Sequence, residues 1–158
     1  MTRIFSLLAI AFAFASADTI EASADRLFAD ENAGRTVLEG SVKIVKGKDI
    51  LRGDRVTISF TKEREISRFE SKGASSFSVT ANDGAEYKGE ADEIVYLPAE
   101  GVYTLKGNAR VEDPINKRKI IGEQITFNEI TRIARVSGKE SAPVRMIFEI
   151  KDRNETKP

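Results

Sequence analysis

The chain has 158 residues, with 25 Lys and Arg against 25 Asp and Glu, and it contains no His, Cys or Trp. Without His or Cys, the sequence excludes a Ser-His-Asp triad, a thiolate nucleophile and an ordinary zinc, copper or haem site. The zero formal net charge lacks the basic excess of a nucleic-acid-binding domain, so we expect no nucleic-acid partner, and the length suits one domain that needs no metal or cofactor.

Residues 1–17 have the pattern of a secretory signal peptide. Arg3 precedes an apolar run from Ile4 to Phe14, and Ala15-Ser16-Ala17 supplies small residues at the first and third positions of a cleavage site. As a helix this run would rise about 16 Å, well short of a hydrocarbon core of roughly 30 Å, which disfavours the alternative of an uncleaved membrane anchor. We therefore predict that the mature, exported chain begins at Asp18.

The mature chain repeats a pattern in which a small residue and an acid precede alternating apolar positions. The four copies begin at Ala24-Asp25, Gly53-Asp54, Ala91-Asp92 and Gly122-Glu123. A glycine follows the acid after 15 residues in three copies and after 19 in the second, at Gly40, Gly73, Gly107 and Gly138. Turn-forming residues lie between acid and glycine, at 30–34, 61–65, 98–101 and 128–131. Each copy is therefore predicted to be a β-hairpin.

Apolar residues in these copies recur with a period of two, the period of a β-strand. Segments such as 41–46 and 77–81 present one apolar face and one charged or hydroxylic face. Asn82-Asp83-Gly84 is typical of a tight hairpin turn. We predict an all-β protein in which repeated antiparallel hairpins stack into an elongated, curved double sheet, with no helix after residue 17 and the termini at opposite ends.

The alternation also assigns an inward face to the predicted sheets. The residues on this face are apolar or aromatic, and within each strand they share one parity, that is, they are all odd-numbered or all even-numbered: Leu38, Val42, Ile44, Val56, Ile58, Phe60, Phe77, Val79, Ile94, Tyr96, Tyr103, Leu105, Ile125 and Phe127. In an arbitrary β protein such residues only fill a core. If the two sheets splay apart, the same apolar face can also hold a ligand.

The four repeated acids invite a catalytic interpretation as a glycosidase pair, or a calcium site. A catalytic pair needs two special acids, whereas Asp25, Asp54, Asp92 and Glu123 recur at equivalent places. We therefore expect them to make hydrogen bonds at strand starts or turns, and we predict no catalytic residues and no bound metal.

Both ends of the mature chain offer strands with little edge protection. Ile20, Ala22 and Ala24 alternate near the N-terminus, and Val144, Met146, Phe148 and Ile150 alternate after Pro143 near the C-terminus. Unprotected edges invite pairing with another chain, and pairing one end with the opposite end of a second copy would build a filament. The alternative is that each strand pairs internally. Residues 152–158 are polar and are predicted to be a disordered tail.

The run from Val37 to Ile58, with Leu38-Glu39-Gly40-Ser41-Val42-Lys43-Ile44 and Gly53-Asp54-Arg55-Val56-Thr57-Ile58, resembles the OstA-like family, and residues 105–127 echo it. The resemblance covers essentially the whole mature chain and implies an OstA-like β-jelly-roll domain over residues 18–151. It implies a slightly V-shaped fold whose two sheets enclose an apolar groove for the acyl chains of lipopolysaccharide. The second copy departs from the others through its longer acid-to-glycine spacing.

The resemblance also implies a function without enzymatic chemistry. The chain is expected to be a periplasmic lipopolysaccharide carrier, stacking head to tail with itself and with inner- and outer-membrane transport proteins of similar β fold. The inward residues would then contact acyl chains, and rim cations such as Lys43, Lys46, Arg52 or Arg55 could pair with lipid A phosphates. The alternative is a ligand-free structural β-repeat protein that polymerises edge to edge. A carbohydrate-binding or hydrolysing jelly roll is less favoured, because the chain has no Trp and three Tyr.

Overall fold

The computed structural model describes residues 19–81 and 83–150, and these form ten β-strands and no helix. The strands are β1 (Ile20–Ser23), β2 (Arg26–Asp30), β3 (Arg35–Lys46), β4 (Asp49–Phe60), β5 (Ile66–Thr80), β6 (Glu86–Leu97), β7 (Val102–Asp113), β8 (Arg118–Asn128), β9 (Ala134–Ser137) and β10 (Arg145–Phe148). The all-β prediction is confirmed. The predicted signal peptide, 1–17, and the predicted tail, 152–158, lie outside the described residues.

The strands form one antiparallel sheet that bends into two layers. Strands β3 to β8 pair with their neighbours in chain order, and each ladder is interrupted near its middle. On one side of the interruptions the order is β1-β3-β4-β5-β6-β7-β8-β10, which we call layer 1. On the other side β2 replaces β1 and β9 replaces β10, which gives layer 2. The six long strands therefore run through both layers.

The repeated acid and glycine meet at the bends. In three copies a Cβ added to the glycine would overlap the acid's carboxylate: Gly40 with Asp25, Gly73 with Asp54, and Gly107 with Asp92. These glycines have φ of 82°, 79° and 79°, a left-handed conformation that favours glycine. The sequence spacing thus corresponds to a side-chain contact that fixes the bend.

The expected place of the acids at strand starts or turns is correct for Asp25, which directly precedes β2, and wrong for the other three. Asp54, Asp92 and Glu123 lie inside β4, β6 and β8, and Asp25 lies between β1 and β2. The bend changes the phase of alternation: Leu51 and Gly53 face inward before Asp54, whereas Val56 and Ile58 face inward after it. In the sequence alone, a change in which positions face inward looks the same at a bend in the middle of a strand as at the beginning of a new strand.

The fourth copy departs from the other three. Gly138 packs against the backbone of residues 142–144 instead of against an acid. Glu123 forms an ion pair with Lys139 instead, at 3.1 Å. The chain between β9 and β10 therefore replaces the acid–glycine bend at this end of the molecule.

The predicted hairpin tips are confirmed as the turns at the outer ends of layer 2, between β2 and β3, β4 and β5, β6 and β7, and β8 and β9. The turn after β5 is also confirmed: the Ala81 amide donates to the Ala85 carbonyl at 2.7 Å, and the Ala85 amide to Asp83 Oδ1 at 3.0 Å. This turn and those after β3 and β7 form the outer ends of layer 1. These seven turns thus lie on the side of the molecule opposite the bends.

Two apolar clusters fill the space between the layers. One contains Leu38, Val42, Ile44, Val56, Ile58 and Phe69. The other contains Phe77, Ala91, Ile94, Tyr103, Leu105, Ala109 and Ile125. Ser71 and Ser75 are buried at the bend of β5, where their hydroxyls share a 2.7 Å hydrogen bond and Ser71 also donates to the Arg52 carbonyl. These bonds satisfy polar groups that would otherwise destabilise the interior.

Candidate functional site

An apolar cavity of about 160 Å³ lies between the two layers toward the turns. Layer 1 contributes its floor with Ile20, Ile44, Ile50, Leu51, Phe77 and Val79. Layer 2 contributes the facing wall with Ile66, Phe69, Tyr96 and Tyr103. Lys46, Asp49, Pro98 and Glu129 complete its lining. We call this cavity the groove.

All fourteen residues predicted to face inward lie between the layers. Ten are buried, and Phe60, Val79, Tyr96 and Phe127 are half-buried against the same clusters. Five of the fourteen line the groove itself: Ile44, Phe77, Val79, Tyr96 and Tyr103. The inward parity therefore agrees with the structure, while a lipid contact at each residue stays a prediction.

Sequence reasoning missed several residues of the groove, among them the apolar Ile50, Leu51, Ile66 and Phe69. Leu51 precedes the phase change at Asp54, so the parity read from Val56 and Ile58 does not extend to it. Phe69 shares the odd parity of Phe77 and Val79, but the inward positions between them are the small polar Ser71 and Ser75. Following every second residue along β5 from Val79 back past the two serines would have identified Phe69 as inward-facing.

Aromatic side chains and one carboxylate shape one end of the groove. The Tyr96 and Tyr103 rings stack with centroids 4.2 Å apart, and Phe69 stacks on Tyr96 at 6.0 Å. The Tyr96 hydroxyl donates to Glu129 Oε1 at 3.0 Å. Burial, with the nearby Glu129 carboxylate, raises the pKa of Tyr96 to about 12, and burial raises that of Tyr103 further. Both phenols are therefore neutral hydrogen-bonding groups near neutral pH.

The layers touch across the groove through aromatic pairs. Phe77 in layer 1 meets Tyr103 in layer 2 at 5.3 Å between ring centroids, and Tyr87 in layer 1 meets Phe127 in layer 2 at 5.9 Å. Each contact joins strands two places apart in the strand order, β5 with β7 and β6 with β8. The two layers are therefore offset along the stacking direction.

A wider cleft of about 770 Å³ adjoins the groove on the side of the turns. It shares Lys46, Asp49, Val79 and Glu129 with the groove and adds Lys48 and Arg132. Of the four predicted rim cations, Lys46 lines both spaces. Lys43 and Arg52 are cross-strand neighbours on the outer face of layer 1, and Arg55 pairs with Glu39 at 3.3 Å on layer 2. Alternation in the strands turns these three side chains away from the groove.

The terminal strands form the edges of both layers. β1 and β2 pair only with β3, and β9 and β10 pair only with β8, within the described residues. The predicted edge residues Ile20 and Ala22 lie in β1, and Met146 and Phe148 lie in β10. Ala24, Val144 and Ile150 fall outside the strands, so the C-terminal strand is shorter than the alternation from Val144 to Ile150 indicated: β10 has four residues.

Residues 19–81 and 83–150 contain no group of three or more His, Cys, Asp or Glu arranged to hold a metal ion. The repeated acids are kept apart because each lies at its own bend. Within the same described ranges no helix has the length and apolar character that a membrane span requires.

These features define a class of protein: a two-layered antiparallel β-sheet whose bent strands enclose an apolar groove. Residues 20–132 match the family described as LptA/(LptD N-terminal domain) LPS transport protein, and the chain belongs to this family. The resemblance found in residues 37–58 and 105–127 is thereby confirmed.

A solved structure shows the same fold. The chain superposes with a TM-score of 0.75 on LptH, described as the LptA homologous periplasmic component of the conserved lipopolysaccharide transport device from Pseudomonas aeruginosa. The match covers 84% of this chain and 96% of LptH at 20% sequence identity. A comparison with curated protein sequences finds no match.

Proposed function

We propose that the chain is a periplasmic lipopolysaccharide carrier that holds lipid A acyl chains between its two layers and passes the lipid between membrane-bound partners. The observation that carries this proposal is the apolar groove, lined from both layers and continuous with a wider cleft. Membership of a lipopolysaccharide-transport family, and the periplasmic LptH with the same fold, support the ligand and the location.

Burial of acyl chains supplies enough free energy for binding without any catalytic group. Each buried methylene contributes about 0.8 kcal/mol, so a few chain segments suffice. The groove volume of about 160 Å³ matches a cavity that holds one benzene-sized molecule, so the layers must move apart to admit a whole chain. The aromatic contacts between the layers carry no hydrogen bond that such a movement would break.

The groups around the groove favour binding over chemistry. Its two tyrosines stay protonated near neutral pH, and its carboxylates are engaged: Glu129 accepts from Tyr96, and Asp49 accepts from the Thr80 amide at 3.0 Å. A passive groove has no energy source, so net movement of lipid requires an ATP-hydrolysing partner that loads one end.

A photo-crosslinking residue at Tyr96 tests the lipid-filled groove. Tyr96 lines the groove and is half-buried, so an aromatic photoprobe there should crosslink to purified lipopolysaccharide. The matched control is Thr104, which lies on the outer face of the neighbouring strand and is also half-buried. We expect crosslinking at Tyr96 at least tenfold above that at Thr104. Equal crosslinking at both positions, or none at either in folded protein, would contradict the proposal.

Head-to-tail assembly of the chain is the second part of the proposal. The strands at one end, β1 and β2, run opposite to those at the other end, β9 and β10, because an odd number of antiparallel steps separates them. A second copy stacked in the same orientation would therefore continue both layers with antiparallel pairing. Leu27 and Met146 face inward by register, opposite Leu38 and Ile120, yet are 64% and 57% exposed. The layer offset leaves these two side chains without a facing layer.

The substitution Met146→Lys should weaken this assembly. A lysine here would bury its charge at the junction between copies, which is unfavourable without a partner. We expect sedimentation to show at least a tenfold increase in the concentration needed for oligomers. Thr57→Lys is the control, since it adds the same charge on the outer face of β4, between Val37 and Glu70 and away from both edges. Oligomers of the Met146 variant as stable as those of the wild type would exclude this junction.

The alternative function, a ligand-free structural filament, shares the exposed edges with the carrier. The two functions differ in what they require of the groove, because a filament needs no space between its layers. Filaments that form without lipopolysaccharide, combined with no lipid crosslinking at Tyr96, would favour this alternative.

A further inference from the structure

One ion pair connects the two layers across the side of the molecule where the turns lie. Arg132, in the turn between β8 and β9 of layer 2, donates through Nη1 to Oδ2 of Asp83 at 2.8 Å. Asp83 lies in the turn between β5 and β6 of layer 1. The two residues are 49 positions apart in the chain, and Arg132 lines the wider cleft that adjoins the groove.

Both partners are held in place by their own turns. The second Asp83 oxygen, Oδ1, accepts from the Ala85 amide at 3.0 Å, which orients the carboxylate. Arg132 has φ of 60°, a conformation disfavoured for residues other than glycine, and its amide donates to the Asn128 carbonyl at 2.8 Å. The Asn128 side chain in turn accepts from the Ile130 and Thr131 amides. The turn thus maintains a strained arginine that reaches the opposite layer.

The surroundings of the ion pair are those of an entrance. Arg132 lines the wider cleft together with Tyr87 and Phe127, the aromatic pair that joins the layers at 5.9 Å. Both charged side chains are 52% exposed, and exposed ion pairs contribute little to folding stability. The pair can therefore open without unfolding the protein, while the groove behind it is too small for an acyl chain as long as the layers stay together.

We propose that the Arg132–Asp83 pair is a clasp that holds the two layers together over the groove and must open for lipid to enter from this side. This inference rests on the proposed lipid-carrier function and adds a control over entry to the groove. An incoming lipid that carries phosphate also offers Arg132 a replacement for Asp83, because guanidinium pairs with phosphate as it does with carboxylate.

The test locks the clasp chemically. The chain has no cysteine, so Asp83→Cys and Arg132→Cys introduce the only thiols, which a short bismaleimide with a reducible core can join. Uptake of fluorescently labelled, purified lipopolysaccharide is then followed with time. We expect the joined protein to load at least tenfold more slowly than the same variant before joining, and reduction of the linker to restore the rate.

The matched control joins an ion pair that stays within one layer. Lys117, in the turn between β7 and β8, pairs with Glu149, just after β10, at 3.3 Å, and the two side chains are 67% and 68% exposed. Linking Lys117→Cys to Glu149→Cys should leave the loading rate unchanged. A clasp-linked protein that loads at the unlinked rate, or a control that slows equally, would overturn the clasp.

A second measurement does not depend on crosslinking. Asp83→Asn removes the carboxylate charge with almost no change in size and keeps an oxygen for the Ala85 amide, so loading should be several-fold faster while the thermal midpoint stays within a degree or two of wild type. Slower or unchanged loading in this variant would contradict the clasp. Wild-type protein that takes up no lipopolysaccharide would contradict the carrier function itself, whereas wild-type uptake unaffected by the linker would contradict the clasp alone.

Discussion

Replacing Gly107 by alanine should destabilise the protein by about 3 kcal/mol, a large part of the stability of a typical domain. Two costs add. A residue with a Cβ is disfavoured at φ of 79°, by about 1–2 kcal/mol. The added methyl would also overlap the carboxylate of Asp92, which accepts a 3.0 Å hydrogen bond from Asn108 Nδ2 and would have to move. The measurement is the free energy of unfolding from urea denaturation.

The chain offers a control that separates these two costs. Gly84 has φ of 84°, but a Cβ there would meet nothing within 4 Å. Gly84→Ala should therefore show only the backbone cost, about 1 kcal/mol. In the double variant Asp92→Ala with Gly107→Ala, the overlap is absent, and the loss should be smaller than the sum of the single losses. Strict additivity would mean that the acid–glycine contact does not fix the bend.

Replacing Gly89 by alanine should both destabilise the protein and narrow the groove. A Cβ at Gly89 would overlap the ring of Phe77, which packs on Tyr103 and lines the groove. Overpacking of this kind costs about 1–3 kcal/mol. The displaced ring has free space on the groove side, so we expect crosslinking of lipopolysaccharide to a photoprobe at Tyr96 to fall several-fold.

A smaller side chain at position 77 should rescue this variant. In a Phe77→Leu background, Gly89→Ala should cost less than half of what it costs in the wild type, because the ring it would overlap is gone. The measurement is the loss in free energy of unfolding that Gly89→Ala causes in each of the two backgrounds. An equal cost in both backgrounds would show that Gly89 is required for a reason other than the space that Phe77 occupies.

The β architecture could be predicted because its signals are local. Alternation, turn residues and the spacing of acids and glycines identified the hairpins, and three of the four spacings correspond to contacts at bends. The bends themselves could not be placed, since a change of phase at Asp54 or Asp92 looks the same whether a strand bends or a new one begins. The folding of one sheet into two layers follows from these bends and from packing between residues far apart in the chain.

The groove was predictable in part for the same reason. Inward parity identified Phe77, Tyr96 and Tyr103, which line it. Parity does not say where the layers pack tightly and where they leave space, so buried residues such as Leu105 and groove residues look alike in sequence. The Arg132–Asp83 pair could not be predicted from the sequence, because it depends on which turns of the two layers come together.

The bends also determine the size of the steps by which the length of such a protein can change. Each acid–glycine pair adds two strands to both layers at once, and neighbouring strands lie about 4.8 Å apart, so one copy of the pattern extends the groove by about 10 Å. Each layer here has eight strands, which corresponds to about 38 Å. A single added strand would put parallel strands at a head-to-tail junction and leave an acid without its glycine. Relatives built on this plan should therefore lengthen or shorten by whole pairs of strands, and an assembly of them would span distances in multiples of that step.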